Sequence, residues 1–388
     1  MTIPFVGPSY DLKRRKADVQ RSVNLMPTKV ENASGKNAMF LKPVPGLDTF
    51  SIRSVPTAEL LIVRETINTG LVTGVDIARI AAGTGELISQ AHFELGALIE
   101  VMDAVYIEST DELWLFGSEL TNSRAWVFDA RTLALTNNVL VDHIFATYPT
   151  FGNAGCVGYY DPALDIVRTS RTSQYASNAI KDLSLDGTIL GVGDTHGVFC
   201  SKIVGGGQNY TAWLGLGSGV GVVASGLKTT EGTAQVVANG NSLAAYDPGR
   251  RRYAIMTQDE NVYVLNDITG AFSVLTSIGG GFTFTSSADL IYDSISDNYL
   301  YLTNAGRLYI FDGGTFAAVQ TNMIFPSGGT SPNIIPSPII EGAFLVCGGS
   351  TDANKLYSIA PVDGDTTVLS LGAEVPFVSK FMRQRTAA

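Results

Sequence analysis

The chain has 388 residues, of which 45% are apolar and only 16% charged, against about 25% charged in an average soluble domain. That deficit implies a surface partly covered by something other than water, and a partner subunit is the simplest cover. No apolar run reaches the roughly 18 residues of a membrane span, and the opening MTIPFVGPSY lacks the charged-then-apolar order of a signal peptide, so a soluble protein that is not exported by its own signal is expected.

Residues 1–50 are interrupted by Pro4, Pro8, Pro27, Pro43 and Pro45 and predict an extended N-terminal arm. Charge is uneven: residues 1–42 hold eight Lys or Arg against three acids, a net +5, so the other 346 residues carry −15 of the total of −10. The run Lys13-Arg14-Arg15-Lys16 fits a nucleic-acid patch; a solvated charge run or a contact with an acidic protein is the plainer reading.

Beyond the arm, short apolar-polar alternations punctuated by turns recur, as strands of a meander do. Candidate four-strand units fall at 57–95, 103–140, 156–190, 199–228, two copies within 246–319, and 338–371. The two copies are in strict register, since Tyr246 and Tyr292, Tyr253 and Tyr299, and Tyr263 and Tyr309 are each 46 positions apart. A meander of that length cannot bury both faces alone, and radial stacking is the usual solution. The expected fold is therefore all-β, a β-propeller of about five to seven blades over residues 51–375, with a C-terminal tail over 376–388. Either 375–380 or 39–41 is expected to complete the blade split by the termini, which covers exposed sheet edges.

Within the arm, Asn24-Leu25-Met26-Pro27 followed by Lys42-Pro43-Val44-Pro45-Gly46-Leu47 resembles the opening of the packaged-DNA stabilisation, tail hub or nozzle proteins of short-tailed bacteriophages. The resemblance covers about thirty residues. It implies a propeller in the virion tail, made in the host cytoplasm and assembled as a homo-oligomeric, hexameric ring below the portal and a head-to-tail adaptor. Such a ring closes the DNA exit channel and conducts the genome at ejection, meets DNA transiently, has a tail fibre or needle as a further neighbour, and does not insert into membranes. The docking residues it implies are Lys13, Arg14, Arg15, Lys16, Arg21, Asn24, Leu25, Pro27, Pro45, Gly46 and Leu47. Catalysis is not expected in that reading, nor is a cofactor or metal.

Other signals point to turns or packing. Gly219-x-Gly221-x-x-Ala224 formally matches a dinucleotide fingerprint, but no helical period and no suitably spaced acid follow. Asp182-x-Ser184-x-Asp186-Gly187 begins like a calcium loop, yet Gly193 stands where a bidentate Glu is required. His92, His143 and His196 lack metal-ligand spacing, no nucleophile elbow is present, and Asp363 and Asp365 read as a turn before they read as glycosidase acids. Cys156, Cys200 and Cys347 are odd in number and far apart, which fits buried thiols and excludes a disulfide framework. A tail-associated propeller glycosidase or polysaccharide-binding protein is the alternative function. A WD-repeat binding module is disfavoured, because Gly-His and Trp-Asp dipeptides at repeat spacing are missing.

Overall fold

The computed structural model describes residues 25–31, 37–43, 58–68, 70–96, 99–120, 122–143, 155–171, 180–193, 200–215, 220–224, 234–235, 242–257, 261–278, 289–303, 305–323, 333–338, 344–347, 355–362, 365–377 and 379–385. The chain divides into two compact units, Met1–Val55 and Pro56–Ala388. In the first, β1 (Leu25–Glu31) and β2 (Asn37–Pro43) pair antiparallel from Leu25↔Pro43 to Glu31↔Asn37. Part of the expected arm is thus a hairpin, its register carried through Pro27↔Leu41.

The second unit opens with β3 (Glu59–Asn68), β4 (Leu71–Ala81) and β5 (Leu87–Glu94). Next come β6 (Ile99–Ile107), β7 (Glu112–Glu119), β8 (Asn122–Asp129) and β9 (Leu135–His143). The third set is β10 (Cys156–Asp161), β11 (Ile166–Arg171), β12 (Ile180–Leu183) and β13 (Ile189–Gly193). It is followed by β14 (Cys200–Val204), β15 (Tyr210–Gly215), β16 (Val220–Ala224) and β17 (Ala234–Gln235). The two register-matched copies are β18 (Ser242–Asp247), β19 (Arg252–Thr257), β20 (Asn261–Asn266) and β21 (Phe272–Ser277), then β22 (Asp289–Asp293), β23 (Asn298–Leu302), β24 (Arg307–Asp312) and β25 (Ala318–Met323). Last are β26 (Asn333–Pro336), β27 (Phe344–Cys347), β28 (Lys355–Val362), β29 (Asp365–Glu374) and β30 (Phe381–Arg385).

These strands form seven four-stranded antiparallel sheets, and no helix occurs among the described residues. The inner strands β6, β10, β14, β18, β22, β26 and β30 neighbour one another in a closed cycle, β30 returning to β6. That is a β-propeller, and its apolar side chains gather between neighbouring sheets. Leu61, Val75 and Ile77 pack against Val101 and Trp126, for example, and Tyr299 and Phe311 against Ala254 and Met256. Fully burying one such side chain contributes about 1.5–3 kcal/mol, so each blade is held chiefly by its neighbours.

Two recurring turns shape one end of the blades. At Asp129, Asn266 and Asp312 a side-chain oxygen accepts the N–H groups two and three residues on, 2.8 and 3.0 Å for Ile268 and Thr269 and 3.0 and 2.8 Å for Gly314 and Thr315. The residue after each threonine, Leu133, Gly270 or Phe316, is then left-handed (φ 63°, 70° and 61°). In the turns after the inner strands, Asp111, Asp165, Arg251 and Asp297 are left-handed too (φ 49–55°). The carbonyls of Asp111, Arg251 and Asp297 receive the N–H groups of Ala130, Asp267 and Gly313, which docks the two turns together.

One boundary needs correction. The expected tail over 376–388 contains an inner strand: β30 pairs with β3 from Glu59↔Arg385 to Val63↔Phe381, giving the order β30-β3-β4-β5. The closing strand lies at 381–385, beyond the expected 375–380, because Met382 and Arg385 are the residues whose burial the sheet provides.

Candidate functional site

Equivalent inner-strand positions line the propeller axis. Asp103 Oδ2 accepts the N–H of Gly158 (3.4 Å), Asp289 Oδ2 that of Ile334 (3.2 Å) and Asn333 Oδ1 that of Met382 (3.2 Å). In each case a polar side chain ties its strand to the next blade's inner strand at one level. Lys202 stands at that level as well. Its Nζ lies 3.2 Å from Asp289 Oδ1, joining β14 to β22 past the intervening β18. Just above, Arg383 donates from Nε to the Ala104 carbonyl (2.6 Å) and from Nη2 to Asp103 Oδ1 (3.2 Å).

This charged layer forms one side of a cavity of about 490 Å3, which Asp103, Tyr106, Tyr159, Tyr160, Lys202 and Arg383 help to line. The Tyr106 hydroxyl donates to Asp111 (3.0 Å) and the Tyr160 hydroxyl to Asp165 (2.8 Å), each reaching a left-handed turn residue. Both phenols are held above their ordinary value, by burial first and by these carboxylates second for Tyr106; for Tyr160 burial again leads. Burial likewise pushes the Asp103 carboxyl up, against the opposing pull of Arg383 and Lys202. The cavity thus offers aromatic faces and hydroxyls beside two acid-base pairs, Asp103 with Arg383 and Asp289 with Lys202.

Of the docking residues implied by the N-terminal resemblance, Leu25 and Pro27 lie in β1, opposite Pro43 and Leu41. Lys13, Arg14, Arg15, Lys16, Arg21, Asn24, Pro45, Gly46 and Leu47 lie outside the described residues. Gly221 and Ala224 of the dinucleotide-like pattern sit within strand β16. Gly207, in the β14–β15 loop of the same blade, is packed so closely that an added Cβ would fall 2.5 Å from Asp267 Oδ1. The Asp267 carboxylate accepts the N–H groups of Gln208, Asn209 and Tyr210, each at 3.0 Å, so this loop's donors hold a side chain of the next blade.

Asp182 of the calcium-like stretch makes a two-bond ion pair with Arg168 (2.8 and 3.1 Å), both fully buried, and Asp186 caps the β12–β13 turn through Thr188 N–H at 2.9 Å. His143 ends β9, His196 lies outside the described residues, and His92 hydrogen-bonds Asp76 (2.8 Å) and Glu94 (3.3 Å). Asp363 is outside the described residues, and Asp365 pairs with Val362 at the β28–β29 hairpin. Cys156 is buried, and burial pushes its thiol up to about 12; Cys200 and Cys347 lie in β14 and β27.

The sequence reading missed Asp103, Lys202, Asp289 and Arg383. A signal for two of them existed: aligned on Tyr106, Tyr160, Tyr246 and Tyr292, the position three residues earlier is Asp103, Val157, Leu243 and Asp289. Lys202 and Arg383 come from blades without that tyrosine, where no such alignment anchors them.

No protein-family model and no curated protein sequence matches the chain. Among solved structures, it resembles a Bacteroides uniformis protein assigned provisionally as a 6-phosphogluconolactonase (TM-score 0.59, 14% identity, 85% of this chain and 99% of that one). It also resembles the periplasmic gluconolactonase PpgL of Pseudomonas aeruginosa (TM-score 0.57, 15% identity, 85% and 99%) and the C-terminal WD40 domain of Sif2 (TM-score 0.51, 10% identity, 79% and 78%). The expectation of a chain without catalysis is corrected here, because two of these structures carry lactonase names on the same scaffold. At such identities the likeness establishes the fold: the chain is a β-propeller, in the company of gluconolactonase and WD40 propellers.

Proposed function

We propose that this propeller recognises a small, uncharged, polyhydroxylated ligand of the saccharide or sugar-lactone class in its axial cavity. The observation that carries the reading is the cavity's composition: the rings of Tyr106, Tyr159 and Tyr160 beside one buried acid, Asp103, and two cations, Arg383 and Lys202, each of which is paired with a carboxylate. Concave sites with aromatic walls and a few convergent polar groups are where ligands of this size bind. Asp103, whose carboxyl is raised by burial, is the group placed to exchange a proton with a bound lactone or glycosidic oxygen. Titration calorimetry with a panel of neutral sugars and sugar acids, together with base uptake on addition of glucono-δ-lactone, tests it. Saturable binding of a neutral sugar that Tyr160→Ala and Lys202→Met each weaken at least tenfold is expected. No binding across the panel and no lactone opening above the buffer rate would overturn it.

A second reading, a ring subunit of a short-tailed phage tail that adjoins the adaptor and conducts DNA, is favoured by the order of Asn24-Leu25-Met26-Pro27 and Pro45-Gly46-Leu47 in a basic segment ahead of an acidic body. The Lys202–Asp289 pair joins the inner strands β14 and β22, and the duct in this reading is the space that the ring encloses. Native mass measurement and negative-stain images with and without the adaptor test it, and a protein that stays monomeric in both would refute it.

A further inference from the structure

Outer strands of propeller blades leave a row of backbone N–H and C=O groups unpaired, and proteins usually guard such edges with charges, prolines or bulges. β5 carries His92 and Glu94, and β9 carries Asp142 and His143. By contrast, β13 reads Ile-Leu-Gly-Val-Gly, with no charge and no proline. It is the outermost strand in the order β10-β11-β12-β13. Ile189, Leu190 and Val192 on it are 44%, 50% and 38% exposed. Among the described side chains, the uncharged outer strands β21 and β25 each expose one large aliphatic residue, Val274 and Val319.

The first unit has the opposite deficiency. An isolated two-stranded hairpin is marginal in water and needs a further strand or a packing partner. Its two edges are unequal. Proline gives no N–H to a ladder and is tolerated where its nitrogen faces away from the paired strand, so the outer edge of β1 lacks a donor at Pro27, while β2 is free of proline from Asn37 to Lys42. The charges are complementary as well, +5 over residues 1–42 against −15 over the remainder.

We propose that β2 of one copy adds to the outer edge of β13 of a second copy, extending that blade and linking propellers head to tail. Main-chain hydrogen bonds would supply affinity, as in other strand additions, and Ile189, Leu190 and Val192 would lose their exposure. The contact is heterologous, so repeated copies form a ring or an open chain, whereas pairing of β13 with β13 would stop at a twofold dimer. It is independent of the cavity reading and supplies the contact that the ring reading lacks.

The test uses full-length chains. Leu190→Lys with Val192→Lys blocks the acceptor edge at exposed positions, and Met39→Pro with Phe40→Pro removes the donor strand. Native mass spectrometry and sedimentation velocity, with circular dichroism confirming folding, should show an associating wild type, two monomeric variants, and a one-to-one complex when the variants are mixed. A monomeric wild type would overturn this contact and the ring reading together. A wild type that associates alongside variants that still self-associate, or that fail to complement each other, would overturn this contact alone and leave the ring to another surface.

Discussion

The blade β22–β25 and the blade β30-β3-β4-β5 have the same strand number and pairing but are held by different means. In the first, each strand is joined to the next within the sequence. Asp293 accepts the N–H groups of Ile295 and Ser296 (3.0 and 3.2 Å), and Asp312 ties down Gly314 and Thr315. Phe316, left-handed, enters the core. In the second, no turn joins β30 to β3, and charged side chains take its place. Arg385 donates to Glu59 (2.7 Å) and, through Nε, to Asp111 of the next blade (2.7 Å). Arg79 grips Glu59 by two bonds of 2.8 Å, and Lys380 pairs with Glu65 at 2.9 Å. A contiguous blade is encoded by short turn motifs that can be repeated; a blade assembled from both termini needs long-range ion pairs to identify its partner strand.

The largest effect should come from removing the closing strand outright. A chain ending at Lys380 loses β30 and with it the inner strand between β26 and β6, leaving Leu60, Ile62 and the edge of β3 uncovered. It should lose cooperative thermal unfolding and aggregate, as open apolar edges do. Retention of a sharp transition within a few degrees of wild type would show that the ring does not depend on its closure.

Next is Arg385→Ala. The Arg385 side chain is 4% exposed, and its loss removes the bonds to Asp111 and one of the two cations that hold Glu59, itself 8% exposed, leaving Arg79 as its partner. Hydrogen bonds to charged groups contribute about 1.5–3 kcal/mol, so a loss of about 2–3 kcal/mol is expected in chemical denaturation. Burial pulls the Glu59 carboxyl up, but the bonds from Arg79 and Arg385 outweigh it and leave Glu59 below its ordinary value; Asp111 is lowered in the same way. The stability that these lowered carboxyls contribute is therefore present above their unfolded value of about 4 and is lost as pH falls through the folded value. Arg385→Ala should narrow its gap to wild type in strong acid.

How these regions differ also sets what could be read from sequence. The tyrosines at 46-residue spacing were legible because each pair fills the same local role: Tyr246 against Tyr253 (4.8 Å between ring centres) and Tyr292 against Tyr299 (5.0 Å). The seven candidate units, read as five to seven blades, each overlap one of the seven sheets for the same reason, since alternation and turn chemistry are written within each unit. The closing strand Phe381–Arg385 was not legible. It contains two arginines in five residues, whose charged partners Asp103, Asp111 and Glu59 are all distant in sequence. The axial layer was hidden likewise: Lys202 meets Asp289 across 87 positions, a pairing that no local period announces.

A smaller effect tests the local side of the comparison. Thr315→Ala removes a hydroxyl that bonds Asp312 (2.7 Å) and accepts the Ala317 N–H (3.3 Å). The cost should be about 1 kcal/mol, the size of a lost helix cap, and Thr132→Ala and Thr269→Ala should cost about the same. Unequal costs among the three, measured by urea denaturation, would mean that the repeated turn is not one energetic unit.

The smallest effect lies at the far edge of the split blade. The ring nitrogens of His92 on β5 lie 2.8 Å from Asp76 and 3.3 Å from Glu94, both acceptors to the imidazolium, and Asp76 also receives Arg64 Nε at 2.7 Å. The bond to Asp76, then that to Glu94, raises the imidazole above its ordinary value. A raised folded value means that the imidazolium contributes stability that is fully present below the unfolded value of about 6.5 and is lost as pH rises through the folded one. Half of the His92 side chain is exposed, so solvent and salt screen the pair and the contribution is small. Wild type should therefore lose slightly more stability than His92→Gln between about pH 6 and pH 8 in low salt, and the two should converge in about 1 M salt. His143 and His196 are common to both proteins and cancel in that difference. If the difference had the opposite sign, with wild type gaining over His92→Gln as pH rises, the imidazole would be held neutral in the folded blade and Asp76 would serve Arg64 alone.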